Sequence, residues 1–266
     1  MTDLIDETAD YVLELASSQR LSILIGLLNE DLTPTEFAKE IDATKQEVHR
    51  NFLRLEKTGL IKKKVSGKYS LTTFGQTVCT QVPSLVFLTQ NRKYFEEHTF
   101  GGIPHKFQMR CGQLANSQYV KGVSKVLEQW KEIYKNSDDY IYEILSDVPL
   151  DLIEPLVKKI KQGVKFNYVF SESAVVPKGR KALLKKLGFD KLIEKGLIER
   201  KMEKNVQTVV VLNEKEACLM FPSLDGESDI SEMFYSNDPM FHEWCLDYFR
   251  YCWYGSDVFR ESKLKE

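Results

Sequence analysis

A cluster of basic side chains between residues 44 and 68 is the part of this sequence best suited to chemistry. The stretch holds eight Lys or Arg residues against two Glu, a net charge of +6, whereas the whole chain carries −2. Lys and Arg neutralise phosphate groups, and an Arg guanidinium can also donate two hydrogen bonds to a guanine edge. The cluster therefore predicts binding to a polyanion, with an affinity that falls steeply as salt is added.

Two short helices joined by a tight turn are expected to position this cluster. Thr33 with Glu36, and Thr44 with Glu47, form two capping boxes, in which a hydroxyl and a carboxylate satisfy the free backbone N–H groups at a helix start. The turn between the helices is predicted to include Asp42. Capping boxes eleven residues apart are typical of a helix-turn-helix.

The second helix is predicted over residues 45–57, with one apolar and one basic face. Its apolar residues follow helical spacing and are Val48, Phe52 and Leu55. After Gly59, two runs with strand propensity surround Ser66-Gly67, which predicts a basic β-hairpin over residues 60–71. A helix-turn-helix followed by a basic hairpin is typical of a winged helix.

Length and composition indicate a globular protein with two domains. The chain has 266 residues, of which 42% are hydrophobic and 29% charged, and it has no apolar run near the ~18 residues of a membrane span. Its five cysteines form no CxxC pair, which favours reduced thiols over disulfides or zinc. We therefore expect a cytoplasmic protein that has no contact with a membrane and needs no cofactor.

Three regions are predicted along the chain: a winged-helix domain over 1–82, a linker over 83–92 and an α/β domain over 93–266. Alternating strand and helix patterns begin at residue 139 and imply parallel strands with an antiparallel edge. Near the end, an aromatic helix begins at Asp238-Pro239, and core packing is favoured for it over a dimer seam or a pocket wall. The predicted fold class is thus α+β and α/β, an N-terminal winged helix-turn-helix followed by a mixed sheet.

Most of the chain resembles known archaeal regulators. Residues 21–30 and 33–75 resemble archaeal winged-helix transcription regulators in the strings LSILIGLLNE and TPTEFAKEIDATKQEVHRNFLRLEKTGLIKKKVSGKYSLTTFG. Three later strings are similar to the middle domain of the regulators first linked to methanogenesis and filament growth, namely KYFEEHTFGGIPHKFQMRCGQL, DDYIYEILSD and KFNYVFSES. The resemblance implies a cytoplasmic archaeal transcription factor, a homodimer that binds double-stranded DNA.

The resemblance also assigns the DNA-contacting positions. On the second helix they are Thr44, Lys45, Gln46, His49, Arg50 and Arg54, and on the wing they are Lys63, Lys64 and Lys68. The second domain would sense a small molecule or mediate dimerisation. Because parallel sheets bind ligands beyond the carboxyl ends of their strands, the candidate effector residues are Ser146, Asp147, Ser171 and Glu172.

Two other functions and a metal site also have to be considered. Winged helices also serve as protein-interaction modules, although such a module needs no basic recognition face. The middle domains of these regulators look distantly like the phospholipase D fold, but none of the four His has Lys two residues on, so the catalytic motif of that fold is missing and we expect no enzyme. His98 and His105 lie near Glu96 and Glu97, but their spacing matches no familiar metal motif, so no metal site is expected.

Overall fold

The chain forms two compact units in the computed structural model, Met1–Pro83 and Ser84–Glu266, here called unit 1 and unit 2. The structure describes residues 2–41, 43–146, 149–174 and 176–264. Asp42, which the sequence places in the interhelical turn, lies outside the described residues.

Unit 1 is mainly helical and ends in a small hairpin followed by one more helix. Its elements are α1 (Thr2–Leu15), α2 (Ser18–Asn29), α3 (Pro34–Phe37), α4 (Lys45–Lys57), β1 (Ile61–Lys63), β2 (Tyr69–Leu71) and α5 (Thr73–Cys79). Both predicted capping boxes are present, at Thr33 and Thr44. The helix after Thr33 has only four residues and is about one turn shorter than expected, because the chain from Ala38 continues as hydrogen-bonded turns.

The core of unit 1 joins α2, α4 and the hairpin. Ile23 and Leu24 from α2 and Phe52 from α4 are fully buried in it. The Phe52 ring packs edge-on against Tyr69 of β2 at 5.0 Å between ring centroids. Leu32 forms a bridge to the same Tyr69 through two backbone hydrogen bonds, so the hairpin is fixed to the helical part on both sides.

Unit 2 is built on a large mixed sheet. Its helices and strands are α6 (Val82–Gln90), α7 (His105–Gln108), β3 (Gln118–Lys121), α8 (Val123–Asn136), β4 (Tyr140–Leu145), α9 (Leu150–Lys161), β5 (Lys165–Ser171), α10 (Arg180–Leu187), α11 (Phe189–Glu194), β6 (Ile198–Glu203), β7 (Val209–Asn213), β8 (Ala217–Met220), β9 (Glu232–Ser236), α12 (Pro239–Gly255) and β10 (Asp257–Val258). Short 3₁₀ turns lie at Tyr94–Glu96, Cys111–Leu114 and Glu261–Lys263.

The strands of the sheet follow the order β10-β6-β5-β4-β7-β8-β9-β3. β4, β5 and β6 are parallel, and the remaining neighbours in the described sheet pair antiparallel. The predicted class, a helical N-terminal part followed by a mixed sheet, is confirmed. The antiparallel portion is larger than one edge, because β9 and β3 extend it beyond the predicted hairpin of β7 and β8.

Both faces of the sheet are buried under helices. Ile141 of β4 and Phe166 of β5 point to a core shared with α8, α9 and α11. Ile144 of β4 and Val169 of β5 point to the opposite core, which contains α12. Two-sided burial explains the nearly continuous apolar sequence of these strands.

The aromatic helix α12 packs in the second of these cores, as predicted. Asp238 caps it by accepting hydrogen bonds from the backbone N–H groups of Met240 and Phe241. Its buried residues are Phe241, Trp244, Cys245, Tyr248, Phe249 and Cys252. All five cysteines of the chain are free and buried. The segment 83–92, predicted as a linker, is largely helical as α6, and its Phe87 is fully buried in unit 2.

Within the described residues, no single helix has both the length and the apolar character needed to cross a membrane. The consecutive helices Asp3–Leu15 and Ser18–Asn29 meet those criteria only as a pair, bent by 81°.

Candidate nucleic-acid interface

Helix α4 presents a polar face away from the core of unit 1. Val48, Phe52 and Leu55 are completely buried on one side. Asn51 is largely buried beside them, and its amide donates to Gln19 Oε1 at 2.6 Å. The opposite side is exposed and carries Lys45, Gln46, His49, Arg50, Leu53, Arg54 and Lys57. The predicted division of this helix into a buried and a basic face is therefore confirmed.

Four of these exposed side chains share the centre of the polar face. Since a helix turns about 100° per residue, Gln46, Arg50, Leu53 and Lys57 project within an arc of roughly 60°. His49 flanks this arc. Amide, guanidinium and ammonium donors thus lie side by side along three turns, with an apolar Leu53 that is 47% exposed among them. Arg and Gln are the side chains that bind guanine and adenine edges in a major groove, and an apolar group can contact a thymine methyl.

Thr44 is the N-cap residue of α4. Its hydroxyl accepts a hydrogen bond from the Glu47 backbone N–H at 3.3 Å and donates one to the Glu47 carboxylate at 2.8 Å. The Glu47 carboxylate in turn accepts from the Thr44 backbone N–H, and these bonds lower the pKa of Glu47. The capping box therefore holds Glu47 at the helix start, so this carboxylate does not compete with the basic face.

Arg54 is placed differently from the other predicted DNA contacts. Its Nε lies 2.7 Å from Glu14 Oε2, and Glu14 also pairs with Arg20 at 3.0 Å. The Glu14 side chain is only 7% exposed, so this carboxylate ties α1 and α2 to the last turn of α4. Arg54 thus serves the internal structure of unit 1, while its half-exposed guanidinium still borders the basic face.

The hairpin carries a second group of cations. β1 and β2 pair from Ile61 with Leu71 to Lys63 with Tyr69, and the tip turns at Gly67, whose φ of +85° favours glycine. Lys62 and Lys63 are exposed on β1, and the Lys63 ammonium lies 5.9 Å from the centre of the Tyr69 ring.

The other two lysines of the hairpin are engaged with carboxylates. Lys64 Nζ pairs with Asp31 Oδ2 at 2.5 Å, and Lys68 Nζ lies 3.5 Å from Glu36 Oε1. Lys68 also donates to the Asp31 carbonyl at 3.3 Å. All four charged side chains are partly exposed, at 36–44%. Ion pairs at the surface contribute only ~0–1 kcal/mol, so a phosphate can replace the carboxylates at little cost.

The four residues proposed for an effector lie at the ends of β4 and β5. Ser171 is fully buried, and its hydroxyl bonds to Ser173 Oγ at 2.7 Å and accepts from the Val206 backbone N–H at 3.3 Å. Ser146 donates to Ser228 Oγ, and Glu172 pairs with Lys263. Asp147 lies outside the described residues. The three described side chains are thus already paired within the fold.

The two histidines considered for a metal lie in different surroundings. His98 is buried, stacks on Tyr94 at 3.8 Å, and bonds through Nε2 to Asp229 at 3.1 Å. His105 is exposed at the start of α7. In the part of the chain that the structure describes, no group of three His, Cys, Asp or Glu residues is arranged to hold a metal ion.

The predicted DNA contacts do not include Leu53, Lys57 and Lys62, although Lys57 and Lys62 belong to the basic cluster of residues 44–68. In the structure Lys57 lies one turn after Leu53 and two turns after Arg50 on the exposed face of α4. Asp31 was also missed as the partner of Lys64, because 33 residues separate them and no local pattern links them.

Comparisons with known proteins give one family match and several similar folds. Residues 8–92 match the family model described as HVO_A0261 N-terminal domain. No curated protein matches the chain. These 85 residues include all the basic side chains of α4 and the hairpin.

Three solved structures are similar to this chain at TM-scores below 0.5. TrmBL2, an archaeal chromatin protein described as having a novel mode of DNA binding, has a TM-score of 0.43 at 14% identity, covering 94% of this chain and 99% of its own. The phospholipase D family member Nuc from Salmonella typhimurium has a TM-score of 0.41 at 16% sequence identity, and the match covers 55% of this chain and 100% of Nuc. NucT from Helicobacter pylori has a TM-score of 0.42 at 11% sequence identity, and the match covers 54% of this chain and 99% of NucT.

Proposed function

We propose that this protein is a DNA-binding transcriptional regulator and that unit 1 is a winged-helix domain. The observation that carries the proposal is the exposed face of α4, on which Gln46, Arg50 and Lys57 surround Leu53, together with the basic hairpin of the same unit. Two carboxylates close to this face are engaged elsewhere, because Glu47 caps the helix and Glu14 is buried against Arg54.

In this mechanism α4 enters the major groove and the hairpin contacts the backbone. Arg50 donates two hydrogen bonds to a guanine, and Gln46 or His49 contacts a neighbouring base. Lys62 and Lys63 bind phosphates directly, whereas Lys64 and Lys68 first leave their carboxylates. Phosphate contacts fix the register of the protein on the duplex and carry no sequence information.

We further propose that the regulator acts as a homodimer in the cytoplasm. Helix α1 exposes four apolar side chains, Leu4, Ile5, Val12 and Leu13, each more than half accessible. A second copy of the chain would cover these side chains. Two α4 helices would then bind half-sites about one DNA turn apart, roughly 34 Å, in a palindromic site.

The division of labour follows from these assignments. Residues 1–82 would bind DNA, residues 83–92 would connect, and residues 93–266 would sense a small molecule or assist dimerisation. The proposal assigns no reaction to the chain.

The experiment that tests the proposal is selection of genomic fragments with the purified full-length protein, followed by salt titration on the enriched duplex. We expect a palindromic site and a slope of log K against log salt of about −4 per protomer. The reason is that Lys45, Arg50, Lys57, Lys62 and Lys63 are exposed and have no ion-pair partner among the described residues. A protein that enriches no sequence and binds duplex DNA without salt dependence would contradict it.

A further inference from the structure

The exposed face of α4 holds one large apolar side chain, Leu53, which is 47% exposed. It lies roughly 100–160° around the helix axis from the buried residues Val48, Phe52 and Leu55. Leu53 does not belong to the described core of unit 1, so packing inside that unit does not require a leucine here. Single apolar side chains are common on protein surfaces, so the meaning of this one depends on its neighbours.

The neighbours of Leu53 on this face are hydrogen-bond donors. Gln46 and Arg50 precede it by about two turns and one turn, Lys57 follows by about one turn, and all three are exposed. A ligand that covers this face must therefore accept hydrogen bonds over most of its area and be apolar at one place near the middle.

Duplex DNA has such a surface in its major groove. Its phosphates and base edges accept hydrogen bonds, and the apolar group that the bases present there is the C5-methyl group of thymine. A leucine side chain has no hydrogen-bonding group, so it can neither neutralise a phosphate nor bind the polar edge of a base. It can contact a thymine methyl group, and both apolar groups then leave water.

The geometry of α4 places this thymine relative to the guanine that Arg50 would bind. Arg50 and Leu53 are three residues apart, which is about 4.5 Å along the helix axis and about 60° around it. Successive bases along a DNA strand are spaced about 3.4 Å apart. A helix that follows the groove thus brings Leu53 to a base one or two base pairs from the base that Arg50 binds.

We propose that Leu53 is a specificity-determining residue, which selects a thymine one or two base pairs from the guanine bound by Arg50. This role rests on the proposed function, because it needs α4 in the major groove. It adds an apolar contact that distinguishes thymine from cytosine by a methyl group. Unlike the lysine contacts, this contact carries no charge for salt to screen.

The test removes the methyl group from the DNA and keeps the rest of the base pair. In the duplex selected by the full-length protein, each thymine of one half-site is replaced in turn by uracil, which retains base pairing and the O4 acceptor. At one thymine, within two base pairs of the guanine whose preference Arg50→Ala relaxes, the wild-type affinity should fall about fourfold. This factor corresponds to ~0.8 kcal/mol for one buried carbon.

Two variants assign the effect to Leu53. Leu53→Ala removes the apolar group outside the core, and it should bind the thymine and uracil duplexes with equal affinity. Leu85→Ala, at an exposed position of α6 in unit 2, is the matched control and should keep the fourfold preference for thymine.

Cytosine and 5-methylcytosine at the same position give an independent measurement, because they differ by the same methyl group. The wild-type protein should prefer 5-methylcytosine to cytosine about fourfold, and Leu53→Ala should bind both equally. Equal binding of both by the wild-type protein would contradict the assigned contact.

Failure of this contact is distinguishable from failure of DNA binding. If the wild-type protein selects no duplex, the proposed function fails and the contact fails with it. If it binds the selected duplex, but uracil has no effect within two base pairs of that guanine or no thymine occurs there, only the role of Leu53 is refuted. The role is also refuted if Leu53→Ala keeps the wild-type preference for thymine over uracil.

Discussion

The buried carboxyl of Glu143 makes the stability of unit 2 depend on pH. Burial raises its pKa from 4.5 to about 7 in the folded protein. The folded state therefore keeps a proton that the unfolded state releases, and raising the pH from 5 to 8 favours unfolding. The stability that this group contributes is complete below pH 4.5 and is lost as the pH rises through 7.

The size of this effect follows from the two pKa values. A group that titrates at 4.5 when unfolded and at about 7 when folded changes the free energy of unfolding by ~2.5 kcal/mol between pH 5 and pH 8. Glu143→Gln keeps an acceptor oxygen for Trp130 and Tyr134 but does not titrate. The difference in stability between variant and wild type should therefore shift by ~2.5 kcal/mol in favour of the variant over this pH range.

Tryptophan fluorescence makes the assay specific for unit 2. The three tryptophans of the chain, Trp130, Trp244 and Trp253, all lie in that unit. Urea unfolding followed by their emission at pH 5, 6, 7 and 8 thus reports unit 2 without interference from unit 1. If the stabilities of Glu143→Gln and wild type changed in parallel across this range, the assigned titration of Glu143 would be refuted.

Three further predictions concern unit 1. Asp31→Asn should strengthen binding to duplex DNA by ~3-fold at low salt, because it frees the hairpin residue Lys64 and removes a negative charge. The control Asp190→Asn in unit 2 should change the affinity less. Fluorescence anisotropy measures both affinities, and equal effects of the two variants would contradict the prediction. Arg50→Ala should cost ~1–3 kcal/mol at the selected site and relax base preference, while Arg250→Ala should not, and a mutant that retains full preference would disprove the groove assignment. Glu14→Gln should destabilise unit 1 by ~2 kcal/mol, seen as faster amide hydrogen exchange in α4, and unchanged exchange would argue against the ion-pair bridge.

The helix start signals of unit 1 were predictable because they are local. Thr44 and Glu47 lie three residues apart, and a capping box forms within a single turn of chain. The same holds for the hairpin over residues 61–71, whose turn needs only a glycine at Gly67. Such features depend little on the rest of the fold.

Partners far apart in sequence were not predictable in the same way. β3 pairs with β9 although Gln118 and Tyr235 are separated by more than a hundred residues, and neither strand was expected. The helical position of Arg54 predicts a DNA contact. No local pattern predicts its ion pair with Glu14, because Glu14 lies forty residues earlier in the sequence.

The burial of Arg180 shows the same limit most clearly. Arg180 stands among lysines in the sequence KGRKALLKK, which is the pattern of a solvated basic helix. Only the packing of α10 against the sheet reveals that this one cation is buried. Conversely, Ser171 and Glu172 follow a strand as ligand-binding residues often do, but tertiary contacts already satisfy their polar groups.

The most direct test of the central claim is a paired salt titration on the selected duplex, with the wild-type protein and the Lys57→Ala/Lys63→Ala double variant. If α4 and the hairpin contact phosphates through these side chains, the slope of log K against log salt should become less steep by about two per protomer. Lys125→Ala/Lys191→Ala in unit 2 is the charge-matched control and should keep the wild-type slope. An unchanged slope in the first variant would show that the basic face of unit 1 is not the DNA-binding surface.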